Sequence, residues 1–168
     1  MKLSLEQQGN FEEAKKRVAK AIEHFEKNDL GLLDRDANER SITHKLAEYL
    51  QQEYPDYHVD CEYNRRGTEV KRLLDSVPSC TPSDTDAVTV YPDIIVHRRG
   101  EKQNLLVIEA KKSNSKTKCE FDRSKLGIFT QPGEYEYDFG LLLIINLDES
   151  RIEDACWYHA GKPIERDG

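Results

Sequence analysis

Asp93 sits inside the apolar run Tyr91-Pro92-Asp93-Ile94-Ile95-Val96, and Glu109 and Lys111 follow directly on a second run, Leu105-Leu106-Val107-Ile108. Side chains alternate across a strand, so Glu109 and Lys111, two residues apart, point to one face. Between the runs lies Arg98-Arg99-Gly100-Glu101-Lys102, a short polar link with a glycine, as an antiparallel hairpin requires. A hairpin turned near Gly100 sets Asp93 opposite a position near Val107, and a small offset of register brings it beside Glu109. Two carboxylates converging at a sheet edge repel each other unless a cation lies between them. All-oxygen ligation suits Mg²⁺ or, in its place, Mn²⁺. Such an ion orients and deprotonates a water and neutralises charge on phosphodiester oxygens. Lys111 is placed to hold that water or to stabilise the developing negative charge. The plainer alternative is two strands with charged ends, Asp93 being paired with an arginine. Pro92 ahead of Asp93, and the abrupt passage from four apolar residues into Glu-Ala-Lys-Lys, favour the metal site.

The elements that must position these residues are readable from periodicity. Residues 5–29 carry Phe11, Ala14, Val18, Ile22 and Phe25 at spacings of three and four, which predicts an amphipathic helix. A second helix is expected from about Asp36, where Asp36-x-x-Glu39 has the layout of a capping box, with Ile42, Leu46, Tyr49 and Leu50 on one face. His58-Val59-Asp60-Cys61-Glu62-Tyr63 alternates as a first strand. Residues 67–86, with Pro78 and Pro82, read as a long loop. Strands follow over 88–97 and 104–110, then a short helix over 122–129. The continuous apolar run 140–147 predicts a strand buried on both faces. The tail beyond Asp148 is polar apart from Cys156-Trp157-Tyr158, expected as a last edge strand. The order helix, strand, strand, strand, helix, strand, after an extra N-terminal helix, predicts an α/β fold on a mixed sheet.

Pro92-Asp93 followed by Glu109-Ala110-Lys111 resembles the PD-(D/E)xK signature of the restriction-endonuclease-like nuclease superfamily, whose hallmark is this spacing across a β-hairpin. Residues 122–126 and 135–143 are similar to the second helix and fourth strand of its small stand-alone members, and the likeness covers about 34–148. The resemblance implies an αβββαβ core with a mixed central sheet flanked by helices, as a 34–168 nuclease-like domain behind a 1–33 helical extension. It implies Asp93 and Glu109 as metal ligands, the Ala110 carbonyl as a further ligand and Lys111 as the catalytic lysine. Glu39, on the first core helix, is implied as an accessory acid; its competing reading is the capping box above.

Charge narrows the partners. At 168 residues with a net charge of −7, the chain is not a general polyanion binder, yet the 95–125 segment is locally basic. Arg65, Arg66, Lys71 and Arg72 are candidate phosphate contacts, as is Lys112, which points away from Lys111. Tyr63 and Trp157 are candidates either for stacking on bases or for the core. His44 lies about 140° around the helix from Glu39 and is expected as a surface or packing residue rather than a base. The four scattered cysteines form no CxxC pair, which points to reduced thiols. No run reaches the roughly 20 apolar residues of a membrane span, and MKLSLEQQGN lacks a signal-peptide core, so a cytoplasmic protein is expected. The expectation is a metal-dependent nuclease with nucleic acid, DNA first, as partner. The N-terminal helix is offered to the domain, to a second copy in a homodimer, or to a protein partner. The alternative is a catalytically inactive module of the same fold that binds nucleic acid or protein.

Overall fold

Helix α1, Leu5–Asp29, opens on a reciprocal cap in which Ser4 and Gln7 each accept the other's backbone N–H. Its buried stripe is Phe11, Ala14, Val18, Ala21 and Phe25, with Ile22 only partly covered. The structure, a computed structural model, describes residues 3–34, 37–62, 91–115, 119–133 and 135–165. A single turn, α2 (Gly31–Asp34), buries Leu33 and leads to α3, Glu39–Glu53. The start expected near Asp36 is displaced. Asn38 is the N-cap, its side-chain oxygen accepting the Ser41 N–H at 2.7 Å. Glu39 is therefore the first residue of the helix rather than its third, and its carboxylate is not spent on a capping box.

Six strands follow: β1 (His58–Cys61), β2 (Ile94–His97), β3 (Asn104–Lys112), β4 (Phe139–Asn146), β5 (Arg151–His159) and β6 (Lys162–Pro163). They form one sheet in chain order. Every neighbouring pair is antiparallel except β3 and β4, which run parallel. A parallel joint needs a crossover, and helix α4 (Glu120–Thr130) supplies it. The chain is thus a mixed α/β fold with a six-stranded mixed sheet, its core elements running α3-β1-β2-β3-α4-β4 as expected. The first strand ends at Cys61. Positions 63–90, with the loop expected at 67–86 and the start of the strand expected at 88, lie outside the described residues.

Alternation sorts the strands between two layers. Ile94, Val96, Leu106, Ile108, Leu141, Leu143 and Ile145 pack on α1 and α3. On the opposite face, Ile95, Val107 and Leu142 pack on α4 through Leu126 and Phe129. Gly140 sets how closely α4 can sit. A Cβ there would lie 3.0 Å from the Thr130 methyl and 3.3 Å from Leu126 Cδ2, so the helix rests directly on β4.

The tail differs most from expectation. It forms β5, a nine-residue strand inside the sheet, and the edge falls to the two-residue β6. Ile152 and Trp157 both enter the core beneath α1 although they are five residues apart, a spacing that strict alternation would send to opposite faces. A register shift between Leu142 and Leu143 leaves Ala155 as an extra residue and restores the match. Among the described residues, no helix is long and apolar enough to cross a membrane.

Candidate active site

The β2–β3 register decides where the acids meet. Ile94 faces Ile108 and Ile95 faces Val107, so one step further toward the open end Asp93 lies opposite Glu109. Gly100, at φ +82°, makes the turn, closed by the Arg98 N–H on the Gln103 carbonyl at 2.9 Å. Glu109 shares a face with Val107, and that face is covered by α4.

Asp93 accepts the Ala110 N–H on Oδ2 at 2.8 Å. Burial pushes its carboxyl up to about 6, against the Ala110 hydrogen bond and the Lys125 charge; Glu39 and Asp122 add to the rise. Glu109 is 1% exposed. Its Oε2 accepts from Lys125 Nζ at 2.6 Å, while Oε1 is buried with no hydrogen-bond partner. Burial raises the Glu109 carboxyl well above the usual carboxylate range, with Lys125 pulling the other way. Burial also works against the Lys125 ammonium. The surrounding Glu109, Asp93 and Asp122 outweigh it and raise its pKa, so Lys125 stays charged.

Two residues on α4 were not singled out as site residues from the sequence. Lys125 is one, and Asp122, a turn earlier, is the other. Asp122 Oδ2 lies 3.3 Å from Lys111 Nζ, too far from good alignment to count as a hydrogen bond, since that oxygen has no hydrogen-bond partner. The helix pair Asp122/Lys125 is thus crossed onto the strand pair Glu109/Lys111: acid to lysine, lysine to acid. A signal for this exists in the sequence. Asp122 and Lys125 share the spacing of Leu126 and Phe129, and charges on the apolar face of a helix need partners beneath it.

Glu39 reaches the same strand end from α3. Its Oε2 accepts the Lys112 N–H at 3.1 Å, and its charge is felt at Asp93. The structure therefore brings Asp93, Glu109, Lys111 and Glu39 to one end of the hairpin, with Ala110 and Lys112 contributing backbone N–H groups. Arg65, Arg66, Lys71, Arg72 and Tyr63 lie outside the described residues. Trp157 is in the core, edge-on to Phe11 with its indole N–H on Asp154, so it is not a stacking platform. His44 is exposed beside Glu48.

The donors at this end are carboxylate oxygens, and the buried, unpartnered Glu109 Oε1 gives them room for one more contact. They fit a small hard cation that takes one or two carboxylates and keeps several waters. Among the described residues, no group of three or more His, Cys, Asp or Glu side chains is arranged to hold a metal ion. At this end Lys125 occupies Glu109, Lys111 lies against Asp122, and the Ala110 N–H takes one oxygen of Asp93.

No protein-family model, curated protein or solved structure gives a significant match to this chain.

Proposed function

We propose that the protein is a divalent-metal-dependent nuclease with a restriction-endonuclease-like core, hydrolysing phosphodiester bonds, DNA first among its substrates. The observation that carries this reading is the excess of buried acid at the open end of the hairpin. Glu109 and Asp122 are buried there, Asp93 is largely so and Glu39 stands at the rim, with Lys125 paired to Glu109 and Lys111 to Asp122. Perturbed carboxylates cluster at functional sites, and Asp93 and Glu109, side by side, are both raised.

In this reading Asp93 and Glu109 would hold Mg²⁺ or Mn²⁺, with the Ala110 carbonyl offered as a further oxygen. The ion supplies charge neutralisation and an acidified water when bound. Lys111 carries its positive charge at the end of β3, where it offsets negative charge developing on the phosphate. Asp122 holds Lys111 over that face. Glu39, anchored by the Lys112 N–H, adds a second-rank acid at the rim. Arg65, Arg66 and Lys112 are the proposed contacts to the nucleic-acid backbone.

Purified protein with Mg²⁺ or Mn²⁺ and labelled single- and double-stranded DNA and RNA tests the reading. Cleavage is expected with metal and not with chelator, and Lys111→Ala is expected to lower it at least about a hundredfold. Metal-dependent cleavage that survives Lys111→Ala contradicts the assignment. No cleavage with either metal leaves the competing reading, a nuclease-fold binding module, which is favoured by how fully the lysines are engaged by the chain's own acids.

A further inference from the structure

Lys125 is placed as a cation within the site itself. It is 4% exposed, and its ammonium donates to Glu109 Oε2 at 2.6 Å and to the Tyr91 carbonyl at 3.1 Å. Tyr91 lies just before Asp93, so the ammonium sits between the two runs that deliver the acids. Among the described residues, the ion pair with Lys125 is the one that Glu109 makes. Lys111 is engaged elsewhere, with Asp122. The second Glu109 oxygen is left buried without a hydrogen-bond partner. A buried carboxylate keeps a cation or takes up a proton. Lysine is suited to a temporary post: a compact point charge on a flexible four-carbon stem.

We infer that Lys125 is a positioning residue, the resident cation of the site, which holds the Glu109 carboxylate in place and competes with the divalent metal for it. This rests on the nuclease reading above and adds to it. The metal does not enter a vacant acidic cup; it displaces an ammonium that already neutralises one ligand. Lys125 therefore weakens metal affinity while keeping Glu109 aimed into the site, with the Tyr91 carbonyl remaining as its anchor once Glu109 is released. A purely structural lysine has the opposite signature, because removing it would disorder Glu109 and weaken the metal.

The test uses Mn²⁺ alone as the probe, on the full chain, by calorimetry and by thermal unfolding with and without the ion. The variants are Lys125→Met, Lys125→Gln and Lys125→Met combined with Asp93→Asn. Lys125→Met and Lys125→Gln are expected to bind Mn²⁺ at least about tenfold more tightly than the wild type. Their unfolding midpoints should rise further on adding Mn²⁺ than the wild-type midpoint does, and the added Asp93→Asn should abolish both effects. If the variants unfold without metal, refolding on Mn²⁺ supports the inference and failure to refold overturns it. Equal or weaker binding by both variants, with Asp93-dependent binding in the wild type, overturns the inference and leaves the nuclease reading intact. Absence of Asp93-dependent binding in the wild type and in both variants sinks the nuclease reading and this inference with it.

Discussion

Acidic side chains meet the β2–β3 hairpin at both ends, Asp60 of β1 at the turn and Asp93 with Glu109 at the open end, and the two ends treat them oppositely. At the turn end, Asp60 lies 2.7 Å from His97 Nε2 and is gripped by the Arg99 guanidinium through two contacts. Burial pulls the Asp60 carboxyl upward, yet hydrogen bonds from Arg99 and His97 outweigh it and hold the pKa below the ordinary value. At the open end burial wins, and Asp93 and Glu109 are both raised. The ladder shifts register between Val96 and His97 at the turn end, but what reverses the sign is the ratio of cations to acids. The turn end is a finished structural contact. At the open end two adjacent raised carboxylates share the charge of Lys125, and that is the physical basis of the proposed site.

The largest expected effect comes from breaking the pair at the open end. Glu109→Ala leaves the Lys125 ammonium buried without its main partner and should cost about 3–5 kcal/mol. Glu109→Gln combined with Lys125→Met, which removes both charges, should recover most of that. Asp60→Ala should cost less: Arg99 is half exposed and water can take over its solvation, which leaves the buried His97 Nε2 as the one partner deprived of a contact. Urea unfolding of the four proteins checks this. Equal losses for Glu109→Ala and the double variant would show that the two groups are not coupled.

The comparison also explains what could be read in advance. The hairpin and the apolar β4 run follow from a period of two and a short glycine turn, whereas the register that puts Asp93 opposite Glu109 rather than Val107 includes a shift between Val96 and His97. Lys125 and Asp122 are different. Their partners on β3 are more than ten positions away, and the seat of α4 depends on Gly140 having no side chain beneath Thr130 and Leu126. The tail was misread as an edge because the bulge at Ala155 hides the alternation between Ile152 and Trp157. The cap moved because Asn38 and Asp36 are equally good caps by type. The Asn38 oxygen on the Ser41 N–H and the engagement of Glu39 with Lys112 show which start the fold adopts.

A smaller effect, in pH dependence, sharpens the contrast. Asp93 rises from the usual 3.8 to about 6 in the folded protein. A raised carboxyl contributes stability that is full below the unfolded value and is lost as pH climbs through the folded one. Metal-free wild type should therefore lose up to about 2–3 kcal/mol between about pH 4 and 6, and Asp93→Asn should flatten that slope. Asp60 has the opposite sign: its contribution is present above the unfolded value and fades as pH falls through the lower folded one, so Asp60→Asn should flatten only the acid limb. Thermal unfolding from pH 3 to 8 separates the two. An Asp93→Asn profile that keeps the wild-type slope from pH 4 to 6 would break the contrast.

The central claim, that the open end of the hairpin is a divalent-cation site, is tested most directly by anomalous scattering from crystals soaked in Mn²⁺. A peak between the Asp93 and Glu109 carboxylates, absent from Asp93→Asn crystals, is the predicted result. A soaked crystal with no such peak and with Lys125 still closed on Glu109, or a peak that persists in Asp93→Asn, would contradict the account.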